Sequence, residues 1–487
     1  MSKKEKKSQV VKKSSPFKGM FTFPMSYELT FVIIAFIYGM WFVYLNPPFH
    51  SNDEDRHFLK AYHITQEGLV PELSPDSTKV GSEIPANIPA VVMSFQGVPY
   101  FQGQKLNKRR VEELSKIPQL RNNKKFEHNF QWSTFPVPYL PASLAIMIAD
   151  SEETTPVELG YAGRIGMLIF YIIFMFFIIR TTPVWKSVFF LYGLTPMVLY
   201  QSASVTYDVM STSLTYLMMA LALYYIFDKD AKFGIKDLIW LIVLFYFQRT
   251  VKNGYFLLAF IFLFIPNGKF DKSLNPWVFK AIILGALLII INFGYSIWNF
   301  ALSDVKEGYK QVHGFQKDFK FDSAYRQNNE ILSDPIGFIG LYLKNWMWFR
   351  QEWLAGAIGR FGYSYSNLSD GFFVVHGLVL IGVAALDSGT KYEVPKLVKY
   401  GIFTLGLLTF LAVTVGFFIS SPVGSNVIFG FQGRYFVAAV PFLLFVIFNN
   451  KIELEFWEKW QTVILGFYAV FMLSFAVSEM EALFYAF

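Results

Sequence analysis

The sequence predicts an all-α polytopic membrane protein of about eleven transmembrane helices (10–12), and three observations carry that prediction. Of 487 residues, 54% are hydrophobic and only 16% are charged, against about a quarter charged in an ordinary soluble domain. The mean hydropathy is +0.37. Charge-free runs cover residues 29–52, 187–207, 209–227, 281–303, 400–433 and 460–478, each close to the ~20 apolar residues that cross a bilayer. This composition excludes a soluble globular enzyme.

The elements follow in order from the lysines. Seven of them (Lys3, Lys4, Lys6, Lys7, Lys12, Lys13, Lys18) fall within the first 18 residues. Residues 1–26 are therefore expected to form a basic cytoplasmic tail held by anionic lipid headgroups. That placement accounts for the net charge of +7 without a nucleic-acid partner. The first apolar stretch ends on Asn46-Pro47-Pro48 with no small-residue cleavage site, so it should remain as a span. Residues 27–487 then read as one integral membrane domain. The first span (about 27–46) leads outward to a large extracytoplasmic loop, 47–161. Within that loop Tyr139 to Ala149 is apolar but short, and prolines stand at 136, 138 and 141. It is expected to lie along the outer interface.

Spans near 162–180, 187–204 and 209–227 follow, with Arg180, Lys186, Lys229, Lys232 and Lys236 on the cytoplasmic side. Arg249, Lys252, Asn253 and Gly254 split the next apolar block, and two short segments (238–248 and 255–266) keep Lys269, Lys272 and Lys280 inside. The span at 281–303 leads to a second extracytoplasmic loop, 304–370. Four more spans are expected near 371–386, 400–420, 435–450 and 461–481. No internal repeat is visible, and the absence of cysteine excludes disulfides, thiolate nucleophiles and Cys-built zinc sites.

Charges in or beside spans are the functional clues in such a chain. Asn52-Asp53-Glu54-Asp55-Arg56-His57 follows the first span directly, and its carboxylates suit a general base or a cation site. Asp208 is the only charge between Lys186 and Asp228, at the outer turn before the span at 209–227, where the bland role is a helix cap. Arg434 ends a 34-residue charge-free run inside Gln432-Gly433-Arg434-Tyr435. It either snorkels to water or offers its planar fork to a phosphate, with glycine admitting a ligand close to the backbone. Lys252 and Arg360 are expected on the same face. No Walker, H-E-x-x-H or G-x-S-x-G motif is present. No nucleotide pool exists outside the cell, so acids and cations there suit group transfer from a lipid-linked phosphate donor.

Pro47-Pro48, Asp53-Glu54-x-x-His57-Phe58, Ala61-Tyr62 and Gly68 resemble the opening of bacterial membrane proteins grouped as domain of unknown function 2142, with Asn52 where that family favours proline. Pro196-Met197 with Ser202, Ser204, Tyr207 and Asp208 resembles a second block of that family, and Gln432-Gly433-Arg434-Tyr435-Phe436 a third. The family is similar in layout to C-type (GT-C fold) glycosyltransferases, which use polyprenyl-phosphate sugars. The resemblance implies a GT-C-like membrane enzyme that transfers a sugar from a polyprenyl-phosphate donor to a cell-surface glycopolymer or lipid-linked glycan. Catalysis would fall to Asp53, Glu54 and Asp208. His57, Lys252, Arg360, Gln432, Arg434 and Tyr207 would bind substrate, and Asp53, Glu54 and Asp208 would hold a divalent cation (Mg or Mn) if one is used. A lipid-linked oligosaccharide polymerase or ligase is the alternative within the same chemistry. A flippase or transporter is the alternative outside it, though its polar groups belong near the bilayer midplane.

Overall fold

The computed structural model describes residues 26–95, 103–313, 319–362, 368–387, 392–452 and 454–485; the basic tail at 1–25 lies outside the described residues. Helix α1 (Tyr27–Leu45) starts at Ser26, whose Oγ accepts the Leu29 N–H at 3.3 Å. It ends where Asn46-Pro47 cannot continue the ladder. Phe31, Ala35, Phe42 and Val43 are buried, while Ile33, Phe36, Ile37 and Trp41 face outward, a division suited to lipid on one side and protein on the other. Helix α2 (Glu54–Glu67) follows at once, after Asp53 turns the chain in the left-handed region (φ 57°).

The segment from α2 to residue 155 corrects the all-α expectation. It contains a three-stranded antiparallel sheet in the order β1 (Glu72–Leu73), β2 (Val80–Pro85), β3 (Lys124–His128). Gly81 pairs with His128, and a Cβ at Gly81 would stand 1.9 Å from the Glu127 carbonyl oxygen. These strands are too short and too irregular in polarity to show as alternation. The apolar piece of this segment forms α3 (Leu140–Ala149), packed on α2 and on α4 (Pro156–Thr181). Leu144, Met147 and Ile148 remain exposed on α3. Thr155 and Glu158 close a capping box at the start of α4.

Next come α5 (Lys186–Gly193), α6 (Pro196–Ser202), α7 (Asp208–Phe227) and α8 (Ile235–Val251), then a 3₁₀ helix (Asn253–Phe264) and α9 (Pro276–Phe293). The chain continues through α10 (Pro335–Gly356), α11 (Asp370–Leu386), α12 (Lys396–Ile419) and α13 (Glu455–Phe484).

Six helices among the described residues are long and apolar enough to cross a membrane: α1, α4, α7, α9 with its continuation to Ala301, α12 and α13. The remaining segments expected as spans are shorter or broken. Residues 187–204 divide into α5 and α6 at Leu194-Thr195, ahead of Pro196, and every residue from Ser187 to Ser202 is buried. Broken backbone at that depth is tolerated because protein surrounds it. The 238–266 block is two segments, parted at Lys252, whose backbone is extended (φ −154°, ψ 111°). Residues 433–447 form short turns around Pro441 rather than one helix. Conversely, the segment 304–370 holds the 22-residue α10, hidden from a hydropathy reading by Lys344, Arg350 and Glu352.

One hydrophobic core runs from Phe31 to Tyr485. Helix α1 packs on α4 and α13, α7 packs on α4 and the 3₁₀ helix, and the end of α10 packs on residues 433–436. These contacts bring the turn after α1, the start of α7, the break at Lys252 and the turn at Arg434 to one place.

Candidate functional site

The site rests on a buried joint. Arg164 and Glu54 are each 1% exposed. Arg164 donates Nε to Glu54 Oε1 at 2.7 Å and Nη2 to Glu54 Oε2 at 2.5 Å. Its remaining donors go to the carbonyls of Val43 (2.8 Å), Asn46 (2.7 Å) and Pro47 (2.7 Å). All five guanidinium N–H groups are thereby used, two of them on carbonyls at the end of α1 that lack helical partners. Glu54 also accepts the Ser51 N–H (3.1 Å) and the Val205 N–H (2.9 Å). The joint locks the start of α2 to the end of α1, to α4 and to the 203–207 turn.

That lock sets Asp53 beside Asp208. Glu54 points into the joint while Asp53, one residue earlier in a left-handed turn, points the other way and is 37% exposed. Asp208 begins α7 and is 7% exposed. The Lys252 ammonium donates to Asp208 Oδ1 from within a cage of tyrosine rings: Tyr435, Tyr255 and Tyr207, with centroids at 4.8, 5.0 and 5.4 Å. Arg434 completes the group, with Nη1 3.8 Å from Asp208 Oδ2 and Nη2 3.8 Å from Asp53 Oδ2. Its side chain is 9% exposed. It donates to the Tyr435 hydroxyl at 3.0 Å, and its Nε is buried with no hydrogen-bond partner among the described residues. The guanidinium therefore has donor capacity that the protein does not use.

The remaining sequence-predicted residues divide. His57 Nδ1 lies 2.8 Å from the Tyr139 hydroxyl, and its ring stands edge-on to Tyr207 at 5.1 Å. Burial pushes its pKa down to about 4 against the opposing pull of Asp53 and Asp208, so the imidazole is neutral at pH 7. Gln432 Oε1 accepts a hydrogen bond from Asn52 at 3.0 Å, tying the Arg434 turn to the Asp53 turn. Arg360 sits in the segment leaving α10, and its Nε is buried without a partner among the described residues. Gly433 has a different role from the one its motif suggests. A Cβ there would lie 2.0 Å from the Trp353 carbonyl oxygen and 2.6 Å from Gly356 Cα. What approaches its backbone is the end of α10, not a ligand.

A cation held jointly by Asp53, Glu54 and Asp208 does not fit this arrangement. Both Glu54 oxygens are committed to Arg164 and to amides, and Asp208 is held by Lys252. No three His, Asp or Glu side chains among the described residues are grouped to hold a metal ion.

Sequence reasoning missed Arg164, Tyr139, Tyr255 and Asn52. Arg164 had left a signal: it is the only charge between Glu158 and Arg180, and a lone charge inside an apolar helix needs a partner. Tyrosines in a chain with 27 of them left none.

The family model described as Predicted membrane protein (DUF2142) matches the chain over residues 36–443. No curated protein and no solved structure matches the chain.

Proposed function

The chain belongs to the DUF2142 family of predicted membrane proteins, and from that premise and the geometry of the cluster we propose that it is an extracytoplasmic glycosyltransferase of GT-C-like plan. It transfers a sugar from a polyprenyl-phosphate donor to a cell-surface glycopolymer or lipid-linked glycan. The observation that carries this reading is the pairing of Asp53 with Arg434. A partly exposed carboxylate faces, at 3.8 Å, a guanidinium with a buried, unused donor.

The roles follow from that pair. Asp53 takes the proton of the acceptor hydroxyl as its oxygen bonds to the anomeric carbon. The bond from that carbon to the phosphate oxygen breaks, and the phosphate leaves with the electron pair. Arg434 holds the charge that develops there. Asp208 and Lys252 neutralise one another beneath the pair and keep Arg434 from closing on a single acid. Glu54, which part of the motif suggests as the base, serves as scaffold. Neutral His57 hydrogen-bonds Tyr139 at the wall of the site. Under this reading the cluster and the 47–161 segment face outward and the basic tail faces the cytoplasm.

The test is sugar transfer from a synthetic polyprenyl-phosphate donor by the full chain in nanodiscs. Asp53→Asn should lose on the order of 100- to 10,000-fold in turnover at unchanged protein level. Wild-type turnover in that variant would sink the proposal.

A further inference from the structure

A chain of rings leads away from Asp53 along α2. The Arg56 guanidinium, one helical turn after Asp53, stands over the Phe130 ring at 5.4 Å. Phe130 meets the His128 ring edge-on at 5.0 Å, and His128 stacks on Tyr309 at 6.2 Å and 17°. Tyr309, on the helix Ser303–His313, in turn meets Trp132 at 6.1 Å. Lys60, a further turn along α2, donates to the Trp132 carbonyl oxygen at 3.2 Å. The segment carrying Phe130 and Trp132 thus lies against the stretch of α2 that begins at the proposed base.

The inner rings of this chain are half-buried and join the sheet to its neighbouring helix. The outermost is not: Phe130 is 68% exposed, outside every apolar helix long enough to span, with an exposed arginine over it. A ring open on one face suits the apolar face of a pyranose, and a fork donor beside it suits a phosphate, sulfate or carboxylate.

Resting on the glycosyltransferase reading, we infer that Phe130 and Arg56, backed by His128, form the acceptor platform, and that the acceptor is an anionic glycan. The polymer crosses the first turn of α2, where Arg56 is exposed, with its growing hydroxyl at Asp53.

The experiment uses the full chain in nanodiscs of uncharged lipid, with dextran sulfate and neutral dextran of equal length as probes and equilibrium binding as the readout. Dextran sulfate should bind at least about tenfold more tightly than dextran. Phe130→Ala, Phe130→Leu and Arg56→Ala should each weaken it about fivefold or more. Equal affinity for the two polymers, or wild-type affinity in these variants, would overturn the inference. A second arm places a reporter at the ring: Phe130→Trp fluorescence should be insensitive to brominated lipid. Strong quenching would make the ring a membrane anchor and also overturn it. Binding is read without turnover. A chain that binds the anionic polymer yet transfers no sugar would defeat the proposed function and leave the platform standing.

Discussion

Exchanging Glu54 for glutamine separates scaffold from chemistry. The carboxylate takes four hydrogen bonds, two from Arg164 and one each from the Ser51 and Val205 amides. A glutamine keeps one acceptor oxygen, so its amide nitrogen must face either Arg164 Nη2 with Ser51 N–H or Arg164 Nε with Val205 N–H. Donor meets donor in both cases. Arg164 also loses its counter-charge at 1% exposure. Breaking one side of a buried pair costs about 3–5 kcal/mol. Asp53→Asn touches a 37% exposed group that stands 3.8 Å from Arg434, and its stability cost is below about 1 kcal/mol. Thermal unfolding of the detergent-solubilised chain, followed by intrinsic fluorescence, should therefore show a fall of several degrees for Glu54→Gln and little change for Asp53→Asn. Turnover per folded molecule should show the reverse order. The double exchange Glu54→Gln, Arg164→Met removes both charges and should regain part of the loss. Unchanged unfolding in Glu54→Gln together with abolished turnover would refute the division and return Glu54 to the chemistry.

Arg434→Lys keeps a charge but loses the fork, and donor-lipid affinity should drop by about tenfold or more; near-normal affinity would make the guanidinium geometry irrelevant. Gly433→Ala drives a Cβ into the Trp353 carbonyl and should destabilise by about 1–3 kcal/mol or more, whereas Gly416→Ala, with open space around it, should be neutral or slightly stabilising; unfolding temperatures compare the two. For pH, burial lowers the His57 pKa from 6.5 to about 4. The unfolded chain binds the extra proton between those values and the folded chain does not, so stability falls as pH drops through that window. His57→Asn should flatten that part of the pH–stability curve, and an unchanged slope would contradict the buried neutral ring. In this cysteine-free chain, Ser94→Cys and Ser303→Cys should react with an impermeant maleimide on intact cells and Ser273→Cys should not; labelling at 273 would overturn the proposed orientation.

The chain's class and the members of its polar cluster were legible because lone charges in apolar runs are costly and therefore conspicuous. Asp208 and Arg434 were visible that way, Asp53 stood in a dense acidic group at the end of a span, and Lys252 marked a polar break with Arg249. What each one does was not. Asp53 and Glu54 are adjacent, and only the left-handed turn at Asp53 decides which acid enters the joint and which stays at the surface. Gly433 looked like room for a ligand because sequence shows where a side chain is missing, not what fills the space. Of the expected spans, α1, α4, α7, α11, α12 and α13 are continuous helices, and α9 is prolonged past a turn at Gly294-Tyr295, since hydropathy measures them directly. The break at Leu194-Thr195 and the short turns at 433–447 stayed hidden, because a run buried in protein and a run facing lipid have the same composition.

The contact of Gly433 with Gly356 has a mechanical consequence. Side chains at most helix contacts act as a compliant layer, shifting rotamers to absorb small movements. Here backbone rests on backbone, with 2.0 Å between a hypothetical Cβ and the Trp353 oxygen. A rigid seam of this kind transmits displacement undamped. Any tilt or slide of the 22-residue α10 reaches the Arg434 turn as motion of similar size, so the spacing of Arg434 from Asp53 and Asp208 is set at the far end of a lever whose outward face, through Ile336, Ile339, Leu343 and Met347, is exposed and apolar.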